Sequence, residues 1–304
     1  MKNKIINNLP FVISFLVLLF LASMFTISVI EDYNAIKVSE TQKKELCQQG
    51  YQPEYAAYCE SIMKLNTDPD FLTIFSTTIL EKLNSTNYVF IICMLIPALI
   101  YICKVFKYNQ MTNQITRNGY FNVIKKLFFH SYKSIFLLPL VIVGVLLICI
   151  FYVGTIEIQY SLTSDYFMWQ PSTISHPIIF ILMYIINLFV HSILYVNISL
   201  CIARKHHNLF VAVILSLLTI IGIEAIMEIV IGAIIFSVIF HSDLGMIFNI
   251  INFFSFNDVF GFGICMIVPF VLMVISFVVL YLLYKNKEQL IIDCESNESE
   301  GEKA

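Results

Sequence analysis

The stretch Ser134-Ile135-Phe136-Leu137-Leu138-Pro139-Leu140-Val141-Ile142-Val143-Gly144-Val145-Leu146-Leu147-Ile148-Cys149-Ile150-Phe151-Tyr152-Val153-Gly154-Thr155-Ile156 carries no charge. It follows Lys125, Lys126 and Lys133 and stops at Glu157. A helix rises about 1.5 Å per residue and the bilayer hydrocarbon is about 30 Å thick, so roughly 20 apolar residues cross it. This run is long enough, and its basic flank marks the side on which it begins. Five more runs have the same character, within residues 1–30, 83–106, 177–203, 209–240 and 259–284. None alternates polar with apolar residues as a barrel strand would, and lipid leaves no water for open backbone groups. The expected fold is therefore an all-α integral membrane protein with six transmembrane helices. Composition agrees: 59% of the 304 residues are apolar and 13% charged, with a mean hydropathy of +0.82. Soluble domains hold about 45–50% apolar and roughly 25% charged residues.

Basic residues orient the helices. Lys2 and Lys4 precede the first span, and Lys104, Lys107, Arg117, Lys125, Lys126 and Lys133 lie between the second and third. Arg204 and Lys205 separate the fourth from the fifth, and Lys285 and Lys287 follow the sixth. The connections 157–176 and 241–258 hold Glu157, Asp165, Asp243 and Asp258 but no Lys or Arg. Cationic loops stay in the cytoplasm, so a multi-pass protein of the cell membrane with both termini cytoplasmic is expected. Residues 31–82 contain five lysines against nine acids. That loop is long enough to escape the charge rule, and it is read as an extracellular domain after the first helix. The first apolar run exceeds the 7–15 residues of a signal peptide's core and ends without a small-x-small cleavage pattern, so it is read as an uncleaved helix.

Cys47 and Cys59 share the outer loop, where an oxidising exterior allows a disulfide between them. The segment Phe71-Leu72-Thr73-Ile74-Phe75 suits packing against either membrane or protein. Residues 107–133 form a cytoplasmic amphipathic segment. Tyr120, Ile124, Leu127 and Phe128 recur at helical spacing, while Asn122, Lys125 and Lys126 fall on the other side. Anchoring to anionic lipid explains such a helix, and so does docking to a cytoplasmic partner. The tail 285–304 is polar and acidic towards its end, and cannot bury enough surface to order itself.

Six spans, a large outer loop after the first, and the basic segment Thr116-Arg117-Asn118-Gly119-Tyr120-Phe121-Asn122-Val123-Ile124-Lys125 leading into the third look like the membrane subunit of bacterial ABC-2-type ABC transporters. The short basic turn Ala203-Arg204-Lys205-His206-His207-Asn208 and the end Tyr284-Lys285-Asn286-Lys287 fit the same layout. The resemblance implies a permease subunit, usually of an exporter, paired with a second permease subunit in a homo- or heterodimer. It also implies an ATP-binding cassette ATPase subunit docked near residues 111–133, with Arg117, Tyr120, Lys125 and Lys126 as candidate docking residues. The chain departs from many such permeases in lacking a long amphipathic helix before the first span. It also lacks the usual acidic residue and proline before the third.

No residue of this chain is expected to bind ATP. A P-loop needs G-x-x-x-x-G-K-[ST] to wrap phosphates in backbone N–H groups, and none of the ten glycines begins that pattern. No cofactor, resident metal or nucleic-acid partner is expected either.

Glu224 and Glu228 are the least usual residues of the fifth span, because an acid in the bilayer costs roughly 2.5–3.5 kcal/mol unless it is protonated, paired or wet. At i and i+4 they are expected to share one inward face. They suit a substrate pathway, the start of a re-entrant outer segment over about 227–262, or a structural hydrogen bond to a neighbouring helix. With His191 of the fourth span they suit a proton relay or a metal site, although no metal-ligand spacing joins the three.

Two other classes of function compete. A CAAX-type intramembrane peptidase needs E-E-x-x-x-R, but Ala225 follows Glu224 and no arginine stands at the required offset. A zinc peptidase needs H-E-x-x-H, whereas His206 and His207 are adjacent. The chain is therefore not read as an enzyme. A membrane binding, sensor or immunity protein that works without ATP is the remaining alternative.

Overall fold

The computed structural model describes residues 2–48, 71–107, 110–154, 177–241, 248, 266–288 and 290–291. Every regular element among them is helical. Helix α1 (Lys2–Gln48) is followed by α2 (Phe71–Thr77), which passes through one π-helical and one 3-10 turn into α3 (Asn87–Lys107). Then come α4 (Gln110–Asn118), α5 (Tyr120–Tyr132), a 3-10 turn, and α6 (Leu137–Val153). Helices α7 (Pro177–Ala203), α8 (Leu209–Ala225) and α9 (Ile267–Tyr284) follow among the described residues, and α8 continues as a π-helix over Ile226–Ile239. Six helical stretches are long and apolar enough to cross a membrane: Asn8–Gln48, Asn84–Phe106, Tyr120–Val153, Ile181–Ala203, Leu209–Ile239 and Ile267–Tyr284. The protein is an all-α, six-span membrane protein.

Helix α7 occupies the centre and packs against α3, α6, α8 and α9, while α1 packs against α3 and α6. The buried residues of α1 are Ser14, Leu18, Ala22, Thr26, Val29 and Tyr33, a stripe at three- and four-residue steps. That spacing turns one narrow face inward and leaves the rest of the helix to lipid. Close approach is built in at Gly144 of α6, where a Cβ would stand 2.7 Å from Leu19 Cδ1. Water does not drive helices together in lipid, so such small-residue contacts and cross-helix hydrogen bonds hold the bundle.

Polar contacts mark both ends of the apolar slab. Lys133 Nζ donates to Asn8 Oδ1 at 3.0 Å at one end. At the other, Tyr152 Oη donates to Asn34 Oδ1 at 2.9 Å and Lys82 pairs with Asp32 at 3.3 Å. From Asn8 to Asn34 a helix rises about 39 Å, enough to clear the hydrocarbon and reach both headgroup layers. The end holding the N-terminus of α1, α4, α5 and the C-termini of α7 and α9 gathers the basic residues of the short connections. It is called the basic end below.

Two details differ from a simple loop over residues 31–82. Helix α1 does not stop where its apolar run does; it continues past Ile30 to Gln48. Hydropathy reports only the part of a helix that lipid needs to be apolar, and Lys43, Lys44, Glu45 and Leu46 are good helix formers in water. Beyond the gap, Phe71, Ile74 and Phe75 are buried, and Phe75 meets Tyr184 edge-on at 6.4 Å. Of the two settings open to this segment, it takes the one against protein. Cys47 is disulfide-bonded, and Cys93, Cys103, Cys149 and Cys201 are free. Cys59, the expected partner of Cys47, lies outside the described residues, as do the connection 157–176, most of the outer segment after His241, and the tail beyond 291.

Candidate functional site

Two polar groups interrupt the apolar packing. The first lies inside the bundle, where α7 meets α8 and α3. The buried stripe of α8 runs Ala212, Val213, Ser216, Ile220, Glu224, so the helical repeat carries the Glu224 side chain inward. There its carboxyl group lies within electrostatic reach of the Tyr195 phenol of α7, as does Tyr88 of α3. One turn earlier on α7, His191 is 2% exposed. Its Nδ1 lies 2.9 Å from Asn187 O, and its ring stands edge-on to Tyr195 at 6.0 Å. The Ser192 hydroxyl is buried and has no hydrogen-bond partner among the described residues.

Glu228 differs from Glu224 in burial. Of residues 226–239 only Gly232 is buried, and Glu228 is exposed on the outer surface. The single inward face expected of an i, i+4 pair divides because the helix leaves the bundle one turn after Glu224. Its widening to a π-helix coincides with that departure; π-helical insertions are rare and often mark functional positions. His191 and Glu224 thus lie on adjoining helices and Glu228 apart. Among the described residues no cluster of metal-ligating side chains forms.

The second group lies at the basic end. Gly119 has φ +76°, a conformation that L side chains rarely adopt, and it folds α4 back on α5. Met111 and Ile115 of α4 are buried, as are Val123, Leu127 and Ser131 of α5. Arg117, Lys125 and Lys126 are exposed. The periodicity of Tyr120, Ile124, Leu127 and Phe128 is the packed face of α5. Phe121 and Phe129 are different, at 75% and 65% exposed. With Lys125 between them they form an outward stripe at i, i+4 and i+8, and Lys133 Nζ sits 5.3 Å from the Phe129 ring centroid.

The inner face of α5 is bonded to helices far away in sequence. Tyr120 donates through its hydroxyl to the carbonyl of Tyr284 at the end of α9. Tyr132 donates to Asn197 Oδ1 of α7 at 2.7 Å, and Asn197 Nδ2 donates to Ser276 Oγ of α9 at 2.9 Å. Tyr284 in turn donates to Leu200 O at 2.9 Å and meets Phe128 edge-on at 5.1 Å. Arg204, only 4% exposed, donates to Leu283 O. His207 stacks on Phe106 at 5.0 Å and His130 on Tyr101 at 4.3 Å. Helix α5 is thus tied to α7 and α9 by defined hydrogen bonds.

Sequence reasoning missed Tyr132, Asn197, Tyr195 and Tyr284, and it read Arg204 only as an orientation signal. Asn187, His191, Ser192, Asn197 and Ser199 within one membrane span were the available sign that the fourth helix is central. No family model matches the chain, and neither a curated protein nor a solved structure matches it.

Proposed function

We propose that this chain is the membrane-spanning permease subunit of an ATP-driven transporter of the ABC-2 type, acting as an exporter. In this reading the basic end is cytoplasmic and both termini lie there. A separate ATP-binding cassette subunit docks on Arg117, Lys125, Lys126 and the Phe121–Phe129 stripe, and hydrolyses the ATP; this chain itself catalyses nothing. A second permease subunit completes the pathway, and the Glu224–Tyr195–His191 group lies beside it.

The observation that carries the reading is the two-sided character of α5. Its outer face exposes two aromatic rings, a residue type that partner-binding surfaces favour, with Arg117 and lysines around them. Its inner face is bonded to α7 and α9, as a lever must be. The orientation is supported by Cys47, whose disulfide belongs to an oxidising compartment and sits on α1 beyond the end opposite the basic one.

The test is co-expression with a candidate ATP-binding cassette protein, then purification through a tag on this chain. The native chain is expected to retain the ATPase, and the triple change R117E/K125E/K126E to lose it at least tenfold. Because the three side chains are exposed, the variant should elute like the native chain by size exclusion. An ATPase retained equally by both would overturn the docking assignment.

A further inference from the structure

The outer surface of the bundle carries a groove between α1 and α3 with a volume of about 570 Å³. Ile13 and Val17 of α1 and Ile96 and Ile100 of α3 form its walls, and Tyr101 and Lys104 lie at its basic end. Eleven residue steps separate Cys93, deep in the groove, from Lys104. At 1.5 Å per step that is on the order of 16 Å, close to half of a hydrocarbon core about 30 Å thick. The groove therefore has the depth of one leaflet. Its chemistry is divided along that depth: aliphatic side chains line the wall, and an exposed ammonium stands at the headgroup level. Lys133 is bonded to Asn8, the chain neighbour of the lining residue Leu9.

We infer that this groove holds one anionic phospholipid of the leaflet at the basic end, with an acyl chain along Ile13, Val17, Ile96 and Ile100 and its phosphate at Lys104. The occupant follows from charge complementarity. A zwitterionic lipid fills the same aliphatic wall but offers Lys104 no net charge, whereas an anionic headgroup gains on the order of 1 kcal/mol for each nearby Lys. The inference stands apart from the transporter reading, because it concerns the chain's own surface in any membrane.

The test uses the full chain in detergent micelles doped with equal amounts of phosphatidylglycerol and phosphatidylcholine, with retained lipid counted by native mass spectrometry. Retention of one phosphatidylglycerol in preference to phosphatidylcholine is expected. K104E should lower that preference about fivefold, the factor that corresponds to roughly 1 kcal/mol. K285E, which alters another exposed lysine at the same end, should leave it unchanged. Equal loss in both variants, or none in K104E, would overturn the site. A second measurement needs no variant. Cys93 is a free, half-buried thiol in the groove, so phosphatidylglycerol should slow its alkylation by N-ethylmaleimide more than phosphatidylcholine does. Equal rates in the two lipids would also refute the proposal.

Discussion

The interior polar group and the basic-end junction are built from similar side chains but bonded differently. In the interior, His191 faces Asn187 O and Ser216 donates to Ala212 O, each within its own helix. At the basic end, Tyr120 reaches Tyr284, 164 residues away, and Asn197 reaches Ser276, 79 residues away. A hydrogen bond within one helix adds no tie between helices. One made across helices ties them together. The contrast describes a basic end whose helices are tied by long-range hydrogen bonds, beside an interior where Glu224 of α8 faces Tyr195 of α7.

Breaking the junction at its hub should have the largest effect. Asn197→Leu removes the acceptor of Tyr132 and the donor to Ser276 at once, leaving the half-buried Tyr132 hydroxyl without its acceptor. The expected loss is about 2 kcal/mol, from two cross-helix bonds and one orphaned donor. Thermal unfolding of the detergent-solubilised protein measures it. Ser276→Ala removes the Asn197–Ser276 bond but leaves Tyr132 on Asn197 Oδ1, so it should cost clearly less. Equal losses for the two would show that Asn197 is not the hub.

A smaller effect is expected one step outward. Tyr120→Phe deletes one hydroxyl that donates to Tyr284 O, at about 1 kcal/mol. Gly119→Ala keeps every contact, since nothing lies within 4 Å of the added Cβ. It still forces an alanine to φ +76°, ψ 151°, a backbone region essentially confined to glycine, which costs roughly 1–3 kcal/mol. If the turn between α4 and α5 matters for docking, Gly119→Ala should weaken ATPase co-purification more than Tyr120→Phe does. The reverse order would assign the coupling to α9 and not to the turn.

The parts of this arrangement that were legible beforehand are those governed by local pattern. The six apolar runs were visible because lipid imposes length and composition on each helix separately. The inward face of α5 was visible because Ile124, Leu127 and Phe128 repeat with the helical period. Neither required knowledge of a neighbour. The extension of α1 to Gln48 was hidden because a helix in water needs no apolar signature. The division between Glu224 and Glu228 was hidden because it depends on where α8 leaves the bundle, a tertiary event. Arg204 was misjudged for the same reason: a cation in a basic turn reads as exposed until α9 brings the Leu283 carbonyl to it. The long-range bonds of Tyr120, Tyr132 and Asn197 have no local signature.

The interior group should respond to substitution in the opposite sense. Glu224→Gln preserves shape and hydrogen-bonding capacity but removes the ionisable acid from a buried position, where acids are retained at a cost to stability. Its unfolding temperature should therefore match or exceed that of the native chain, while Asn197→Leu falls. Glu228→Gln, on the exposed continuation of α8, should change stability by no more than about 0.5 kcal/mol. If Glu224→Gln destabilised as strongly as Asn197→Leu, the acid would be a structural tie like those of the basic end, and the contrast between the two regions would fail. If it left stability intact while reducing export by the assembled transporter, the carboxyl would be doing its work in the pathway rather than in the fold.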